Sequence, residues 1–226
     1  MALPPKFKGH RLVFTDDATT TSPSNPPPHT LEFYLDYVCP FSAKMFNTLL
    51  TSAIPHIRAN PNLANRLQLI IRPQIQPWHP SSTLVHEAAL AVQQLTLRGV
   101  SDRFWVFITD LFTHQREYFD EAVAEETRNA TYRRLARLAR ESVGVDEEEV
   151  YRLLEVKQQQ QSDGDGPGGK NAGNGVTADV KTAVKMARLT GVHVTPTVLF
   201  NGVVAGEIAS AWTGEEWAAW LDKNIV

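Results

Sequence analysis

The residue best suited to chemistry in this sequence is Cys39, the single cysteine among 226 residues. It follows an aromatic-rich run, residues 30–38, that predicts a β-strand, and it precedes Pro40, a residue favoured at the first position of a helix. A cysteine at a strand-to-helix junction lies beside unpaired backbone N–H groups and the positive end of the helix dipole, and both favour thiolate over thiol. We therefore predict an activated nucleophile, the alternative being a buried, inert cysteine.

The composition limits what this thiol can do. A lone cysteine cannot form an intramolecular disulfide or a cysteine zinc site, and the seven histidines show no ligand spacing, so no metal site is expected. The net charge of −3 argues against a nucleic-acid partner. No apolar run reaches the roughly 18 residues that a membrane span needs, and the N-terminal segment lacks the apolar core of a secretory signal. We therefore expect a cytoplasmic protein with neither a membrane nor a nucleic-acid partner.

The elements that must position Cys39 alternate between strands and helices. A helix is expected after Cys39, interrupted at Pro55, and the pattern from residue 81 to about 157 is helical. Strands are expected at 11–15, 66–72 and 192–200, with a hairpin turn at Asn201-Gly202 after the last of them. The other expected helices are one closed by Gly99, one capped by Ser101, one running from Asp120 to Arg140, one at 146–157, one at 176–190 ended by Gly191 and a last one capped by Thr213. A flexible glycine-rich segment is expected at 162–175.

Two segments resemble a known family. Residues 36–42, Asp-Tyr-Val-Cys-Pro-Phe-Ser, resemble the active-site segment of the DsbA-like branch of the thioredoxin fold, and residues 191–202, Gly-Val-His-Val-Thr-Pro-Thr-Val-Leu-Phe-Asn-Gly, resemble its cis-proline loop and hairpin. The resemblance covers residues 10–226 and implies an α/β, thioredoxin-like fold with an inserted helical domain. The domains implied are a discontinuous thioredoxin-like domain at 1–75 and 176–226, an inserted helical domain at 76–160 and a flexible glycine-rich loop at 161–175.

By this resemblance, Cys39 is the attacking thiol and Pro196 is the cis-proline. Thr195 would present its backbone to an extended peptide or to glutathione, as an added strand does, with Pro40 and Phe41 beside the sulfur in the same binding site. The family's redox members carry a second cysteine at the position of Ser42. Serine cannot resolve a mixed disulfide, although it can donate a hydrogen bond to the Cys39 thiolate; the alternative is an ordinary serine of the first helical turn.

A monothiol site implies exchange with an external thiol. We therefore expect a thiol–disulfide oxidoreductase or a glutathione-dependent transferase that acts on a thiol or disulfide substrate, with no bound cofactor and with glutathione as co-substrate. The alternative is a redox-inactive module that binds a peptide or protein partner. The architecture is also related to kappa-class glutathione transferases and 2-hydroxychromene-2-carboxylate isomerases. Those proteins carry serine where Cys39 stands, which argues against an isomerase.

Several other side chains allow two interpretations. His79 and His86 either polarise a substrate and tune the thiol or, as we favour, are exposed or capping residues. Asp36 is either a base or simply the end of a strand. Aromatic side chains that either line a groove or, the favoured interpretation, pack in the core are Tyr34, Phe41, Trp78 and Trp105. Arginines expected to form a solvated, ion-paired helix face are Arg133, Arg134, Arg137 and Arg140.

Overall fold

The computed structural model describes residues 3–14, 28–96, 103–157 and 171–226. The predicted helix ends at Gly99 and Ser101, and the glycine-rich segment up to residue 170, lie outside these ranges. The strands are β1 Arg11–Val13, β2 His29–Leu35, β3 Leu67–Pro73, β4 Thr197–Phe200 and β5 Val203–Val204. The α-helices are α1 Pro40–Thr48, α2 Ile54–Ala59, α3 Pro61–Arg66, α4 Ser82–Thr96, α5 Arg103–Thr113, α6 Asp120–Val123, α7 Arg128–Val143, α8 Glu147–Leu154, α9 Thr177–Thr190 and α10 Gly214–Asn224.

The described strands form one sheet in the order β1-β3-β2-β4-β5. The central strand β2 runs parallel to β3, with Phe33 opposite Ile71, and antiparallel to β4, with Phe33 opposite Val198. The last five residues of β2 are buried, and four of them are apolar or aromatic, as expected for a central strand covered on both faces. The carboxyl end of β2 therefore delivers Cys39 to the edge of the core.

The crossover from β2 to β3 contains the interruption predicted at Pro55. A π-helical turn, Leu49–Ala53, joins α1 to α2, and the N–H of Ile54 bonds the carbonyl of Leu49. Proline has no N–H with which to continue the α-helical ladder, so the wider turn accommodates it. The interruption is confirmed.

The segment between β3 and the β4–β5 hairpin is mainly helical. Helices α4 to α8 fall within residues 76–160, the range expected to be the helical insert. The single helix expected from Asp120 to Arg140 is wrong, because α6 ends at Val123 and α7 begins anew at Arg128. The reason is a local cap: the side chain of Thr127 accepts a hydrogen bond from the N–H of Ala130 and so starts a separate helix.

The elements that return the chain to the sheet follow the predicted signals. Helix α9 ends at Gly191, and Asn201 and Gly202 both have positive φ, as a tight two-residue hairpin turn requires. The side chain of Thr213 caps α10 reciprocally with Glu216. Within the described ranges, no helix has the length and apolar character needed to cross a membrane.

Gly191→Ala is expected to lower the free energy of unfolding by about 1 kcal/mol, because a side chain is strained at its φ of +75°. A Cβ at this position meets no other atom within 4 Å, so backbone strain is the whole effect. Gly206→Ala is the control, since its surroundings are equally open and its φ lies outside the left-handed region. Urea denaturation measures both. Equal midpoints for the two variants would contradict the prediction.

Candidate active site

Cys39 occupies the position predicted for it, directly after β2 and at the N-terminus of α1. Its N–H donates to the carbonyl of Asp36 at 3.0 Å, and its carbonyl accepts the N–H of Ala43 at 3.0 Å. The residue is 5% exposed, whereas Pro40 and Phe41 beside it are exposed. Backbone bonds thus fix the sulfur-bearing residue on both sides, at the positive end of the helix.

The second predicted segment meets Cys39 in space. The Thr195–Pro196 peptide bond is cis. The Sγ atom of Cys39 lies 3.7 Å from the carbonyl oxygen of Thr195, across 156 positions of sequence. The fold therefore brings together Cys39 with its neighbours Pro40 and Phe41, and Thr195 with Pro196.

Ser42 makes a different contact from the one expected. Its side chain is fully buried, and its Oγ accepts a hydrogen bond from the N–H of Asp36 at 3.2 Å. Among the described residues, no hydrogen bond joins the Ser42 side chain to Cys39. The expected thiolate partner is instead a link between the first turn of α1 and the end of β2.

Asp36 is a buried carboxylate that joins three segments around Cys39. Its Oδ1 accepts hydrogen bonds from the N–H of Val38 at 3.1 Å and from Oγ of Ser82 at 2.9 Å. Its Oδ2 accepts the N–H of Gln76 at 3.1 Å. Asp36 directly follows Leu35, the last residue of β2, as the strand-end interpretation predicts, and its carboxylate has a further role. The carboxylate connects the Cys39 loop, the segment after β3 and the start of α4.

Both histidines considered above face Asp36. His79 Nδ1 hydrogen-bonds to Oδ2 at 3.1 Å, and His86 Nε2 lies 3.6 Å from Oδ1, an ion-pair distance. The favoured interpretation of His86 as exposed or capping is wrong: it is fully buried and its ring contacts Tyr37, with centroids 4.3 Å apart. The cause is helical spacing, because Ser82 and His86 lie one turn apart on the face of α4 that meets Asp36.

The surroundings of Asp36 favour its ionised form. Burial alone raises the pKa of this carboxyl, but His86, the N–H of Val38 and His79 together outweigh it and hold the pKa below its ordinary value. The carboxylate is therefore a fixed negative charge at neutral pH, held by donors from three segments.

A side chain from the helical segment also holds the Cys39 loop. Gln115, in the short 3-10 turn Gln115–Tyr118, donates from Nε2 to the carbonyl of Tyr37 at 3.1 Å and to that of Cys39 at 3.4 Å. The sequence gives no sign of this role, because a glutamine 76 positions away carries no local pattern. The helical segment thus contributes directly to the position of Cys39.

The backbone of Thr195 is not the open edge expected for an added strand. The amide of Gln76, oriented so that both its ends are satisfied, accepts the N–H of Thr195 at 2.9 Å and donates to the carbonyl of His193 at 3.3 Å. The carbonyl oxygen of Thr195 lies 3.7 Å from the Cys39 sulfur. A side chain from the segment after β3 therefore already occupies two of the groups that an incoming backbone would use, the N–H of Thr195 and the carbonyl of His193.

Three exposed apolar side chains lie on the segments that meet at Cys39. Phe41, Trp78 and Val194 are 63%, 59% and 57% exposed. The core placement favoured for Phe41 and Trp78 is therefore wrong, whereas Tyr34 and Trp105 are buried as expected. Phe41 lies in the first turn of α1, two residues after Cys39, and Trp78 lies in a turn between β3 and α4. We call Phe41, Trp78 and Val194 the apolar rim.

Comparisons with known proteins identify the fold. Neither a protein-family model nor a curated protein sequence matches the chain. A candidate protein-disulfide isomerase from Pseudomonas syringae is similar in structure, with a TM-score of 0.66 and 22% identity over 96% of this chain and 99% of that chain. Oxidised BdbD from Bacillus subtilis gives 0.58 and 20% identity over 97% and 94%. Reduced DsbG from Mycobacterium tuberculosis, a disulfide bond oxidoreductase, gives 0.58 and 16% identity over 94% and 85%. The chain has the DsbA-like thioredoxin fold, which confirms the predicted fold class.

Proposed function

We propose that this chain is a monothiol thiol–disulfide oxidoreductase with Cys39 as its nucleophile and glutathione as its co-substrate. The observation that carries the proposal is the position of Cys39 Sγ, at the start of α1 and 3.7 Å from the carbonyl that precedes the cis-proline. Similar folds described as thiol–disulfide oxidoreductases and as a protein-disulfide isomerase support it. Ser42, at the position of the second cysteine in the family's redox members, supports the monothiol form.

The proposed reaction has two exchange steps. The thiolate of Cys39 attacks one sulfur of a substrate disulfide, the substrate S–S bond breaks, and the departing thiolate takes a proton from water. Because Ser42 cannot attack the resulting mixed disulfide, an external thiol must do so. A glutathione thiolate attacks the sulfur carried on Cys39 when glutathione itself is the bound group, releasing oxidised glutathione and the Cys39 thiolate. When the same steps run in reverse, they transfer glutathione to a substrate thiol.

The surface around the site favours a peptide or small thiol as substrate. The apolar rim offers contacts to side chains that flank a substrate sulfur. The basic face of α7 gives no support to a nucleic-acid partner, since Arg133, Arg134 and Arg140 pair with Glu148, Glu126 and Glu147. We place the exchange in the cytoplasm, where glutathione keeps thiols reduced, and propose no bound metal or cofactor.

A second candidate function is a redox-inactive binding module. The observation that favours it is the small exposure of Cys39, 5%, together with Ser42 in place of a second cysteine. Such a module would hold a peptide on the apolar rim without forming a bond to Cys39. A glutathione-dependent transferase would use the same thiol and rim with an electrophilic substrate, and the experiment below also detects its first requirement, a reactive Cys39.

Incubation with oxidised glutathione is expected to add one glutathione to the native protein, and Cys39→Ser is expected to abolish the adduct. The mass gain is unambiguous because the chain has one cysteine. Added reduced glutathione should then remove the adduct, and a glutathione–peptide mixed disulfide should be turned over by the wild type alone. Mass spectrometry and coupled turnover assays measure both.

An adduct that forms only after unfolding would contradict the proposal and favour the binding module. Partners that are retained equally by the wild type and by Cys39→Ser would have the same meaning. Partners released from the wild type only by a reducing agent would support the oxidoreductase.

A further inference from the structure

One backbone edge of the segment before Pro196 is already paired within the chain. The carbonyl of His193 and the N–H of Thr195 flank Val194 in sequence and face the same side, because one side-chain amide contacts both. A strand added to this edge would donate to the first group and accept from the second. Gln76 does both, at 3.3 Å and 2.9 Å. A primary amide carries a donor and an acceptor side by side and so replaces the peptide group of a partner strand.

Gln76 is held firmly in this position. It is 1% exposed, its own N–H donates to Oδ2 of Asp36 at 3.1 Å, and its carbonyl accepts the N–H of His79 at 3.0 Å. A peptide that paired with His193 and Thr195 would have to displace a buried side chain and leave its amide without partners. An unsatisfied buried polar group of this kind is costly compared with the modest net gain of a new hydrogen bond.

Apolar side chains are exposed on the segments near Cys39. Val194 lies in sequence between the two paired residues and is 57% exposed, and Phe41 and Trp78 are also exposed. A substrate can therefore gain contact area from these side chains, at roughly 25 cal/mol for each square ångström of apolar surface buried. It gains nothing from the carbonyl of His193 and the N–H of Thr195 while Gln76 holds both groups.

We infer that Gln76 is a specificity-determining residue that closes the backbone edge at His193 and Thr195, so that disulfide peptides are selected by apolar side chains that contact Phe41, Trp78 and Val194. This inference rests on the proposed function. Glutathione has no apolar side chain with which to contact these residues. Its thiol should therefore react with the mixed disulfide at Cys39 without prior binding, and the rate of this step should rise linearly with glutathione concentration without saturating.

The test uses three synthetic peptides, each carrying one cysteine in a mixed disulfide with glutathione. The parent peptide has leucine on both sides of the cysteine, the second peptide is N-methylated at those leucines, and the third has serine in their place. The second-order rate of transfer to Cys39 is measured. For the wild type we expect less than about a 2-fold effect of N-methylation and about a 10-fold loss on replacing both leucines with serine, since two buried side chains are lost.

Gln76→Met removes the amide at nearly constant volume and should open the edge. The parent peptide should then react about 5-fold or more faster than its N-methylated form, the effect of one or two hydrogen bonds gained. Gln74→Met is the matched control, because Gln74 is a buried glutamine of the same segment whose Nε2 contacts the carbonyl of Val192 at 3.5 Å. It should keep the wild-type ratio. If Gln76→Met does not fold, Gln76→Asn shortens the side chain by one methylene and tests the same point.

A second measurement is independent of thiol chemistry. Amide hydrogen exchange at Thr195 should be slow in the wild type and in Gln74→Met, and faster in Gln76→Met by about 10-fold or more, because its acceptor is gone. Binding of the parent and N-methylated peptides, as free thiols, to Cys39→Ser variants gives the same comparison without reaction. If no disulfide reacts with Cys39, the proposed function fails, and these two measurements still decide the role of Gln76.

Two results would overturn the inference. One is a wild-type rate or affinity that falls 10-fold or more, on the scale of about one strong hydrogen bond, when the peptide is N-methylated. The other is a Gln76→Met variant whose Thr195 exchange and N-methylation ratio both equal those of the wild type.

Discussion

Ser42→Cys is expected to release glutathione from Cys39 without any added thiol. Cys39 precedes α1, and residue 42 is the third residue of that helix, the position at which the redox members of the DsbA-like family carry a second cysteine. A thiol at residue 42 can therefore attack the mixed disulfide within the molecule, forming a disulfide between Cys39 and the introduced thiol and expelling reduced glutathione. The rate of glutathione release should be about 100-fold or more above that of the wild type without added thiol, because the attack becomes intramolecular.

Stopped-flow mixing followed by acid quench and mass spectrometry measures the release. Ser42→Ala is the control, since it also removes the hydroxyl that accepts from the N–H of Asp36 but supplies no thiol. Its adduct should persist as in the wild type. Release from Ser42→Cys that still depends on added thiol would mean that a side chain at residue 42, where the native hydroxyl accepts from the N–H of Asp36, does not reach Cys39.

Asp36→Ala is expected to lower the free energy of unfolding by about 3 to 5 kcal/mol, because it leaves the donors around a buried carboxylate unpartnered. Asp222→Ala is the matched control: Asp222 also pairs with a histidine, His56, but is half-exposed, so its loss should be below about 1 kcal/mol. Urea denaturation measures both variants. A loss below about 1 kcal/mol for Asp36→Ala would contradict the role assigned to the carboxylate.

The same carboxylate predicts a pH dependence of stability. Its pKa lies below the ordinary value of 3.8 in the folded chain, so the unfolded chain binds more protons in the window between the two values. The stabilisation is complete above the unfolded pKa and is lost as the pH falls through the folded one. Asp36→Asn should therefore lose less stability than the wild type between neutral pH and pH values below about 4. Parallel curves for the two proteins would contradict this account.

The parts of the site that are predictable from sequence are those that a short run of residues determines. Cys39 between an aromatic strand and Pro40, the Thr195-Pro196 pair before a strand, and the Asn201-Gly202 turn each rely on local backbone preferences. The resemblance then joined two runs separated by 156 positions, which no local pattern can do. The fold class was predictable for the same reason.

The contacts that hold the site together depend on packing between distant elements. The spacing of Ser82 and His86 places them on one helix face, but only the packing of α4 against the end of β2 shows that this face meets Asp36. Gln76 and Gln115 have no periodic or motif signal, since a side-chain amide hydrogen-bonds wherever the fold brings a backbone group to it. The break before Arg128 was readable from Thr127, whose residue type favours a helix N-cap.

The most direct test of the central claim is the rate at which iodoacetamide alkylates Cys39 at neutral pH, in the native protein and in the same chain unfolded in urea. An inert buried cysteine reacts more slowly when folded, whereas a thiolate stabilised at the N-terminus of α1 reacts faster despite its 5% exposure. We expect the native protein to react about 10-fold faster than the unfolded chain, the behaviour of an activated thiol. A native rate below the unfolded rate would show that Cys39 is a structural residue and that the chain is not a thiol–disulfide oxidoreductase.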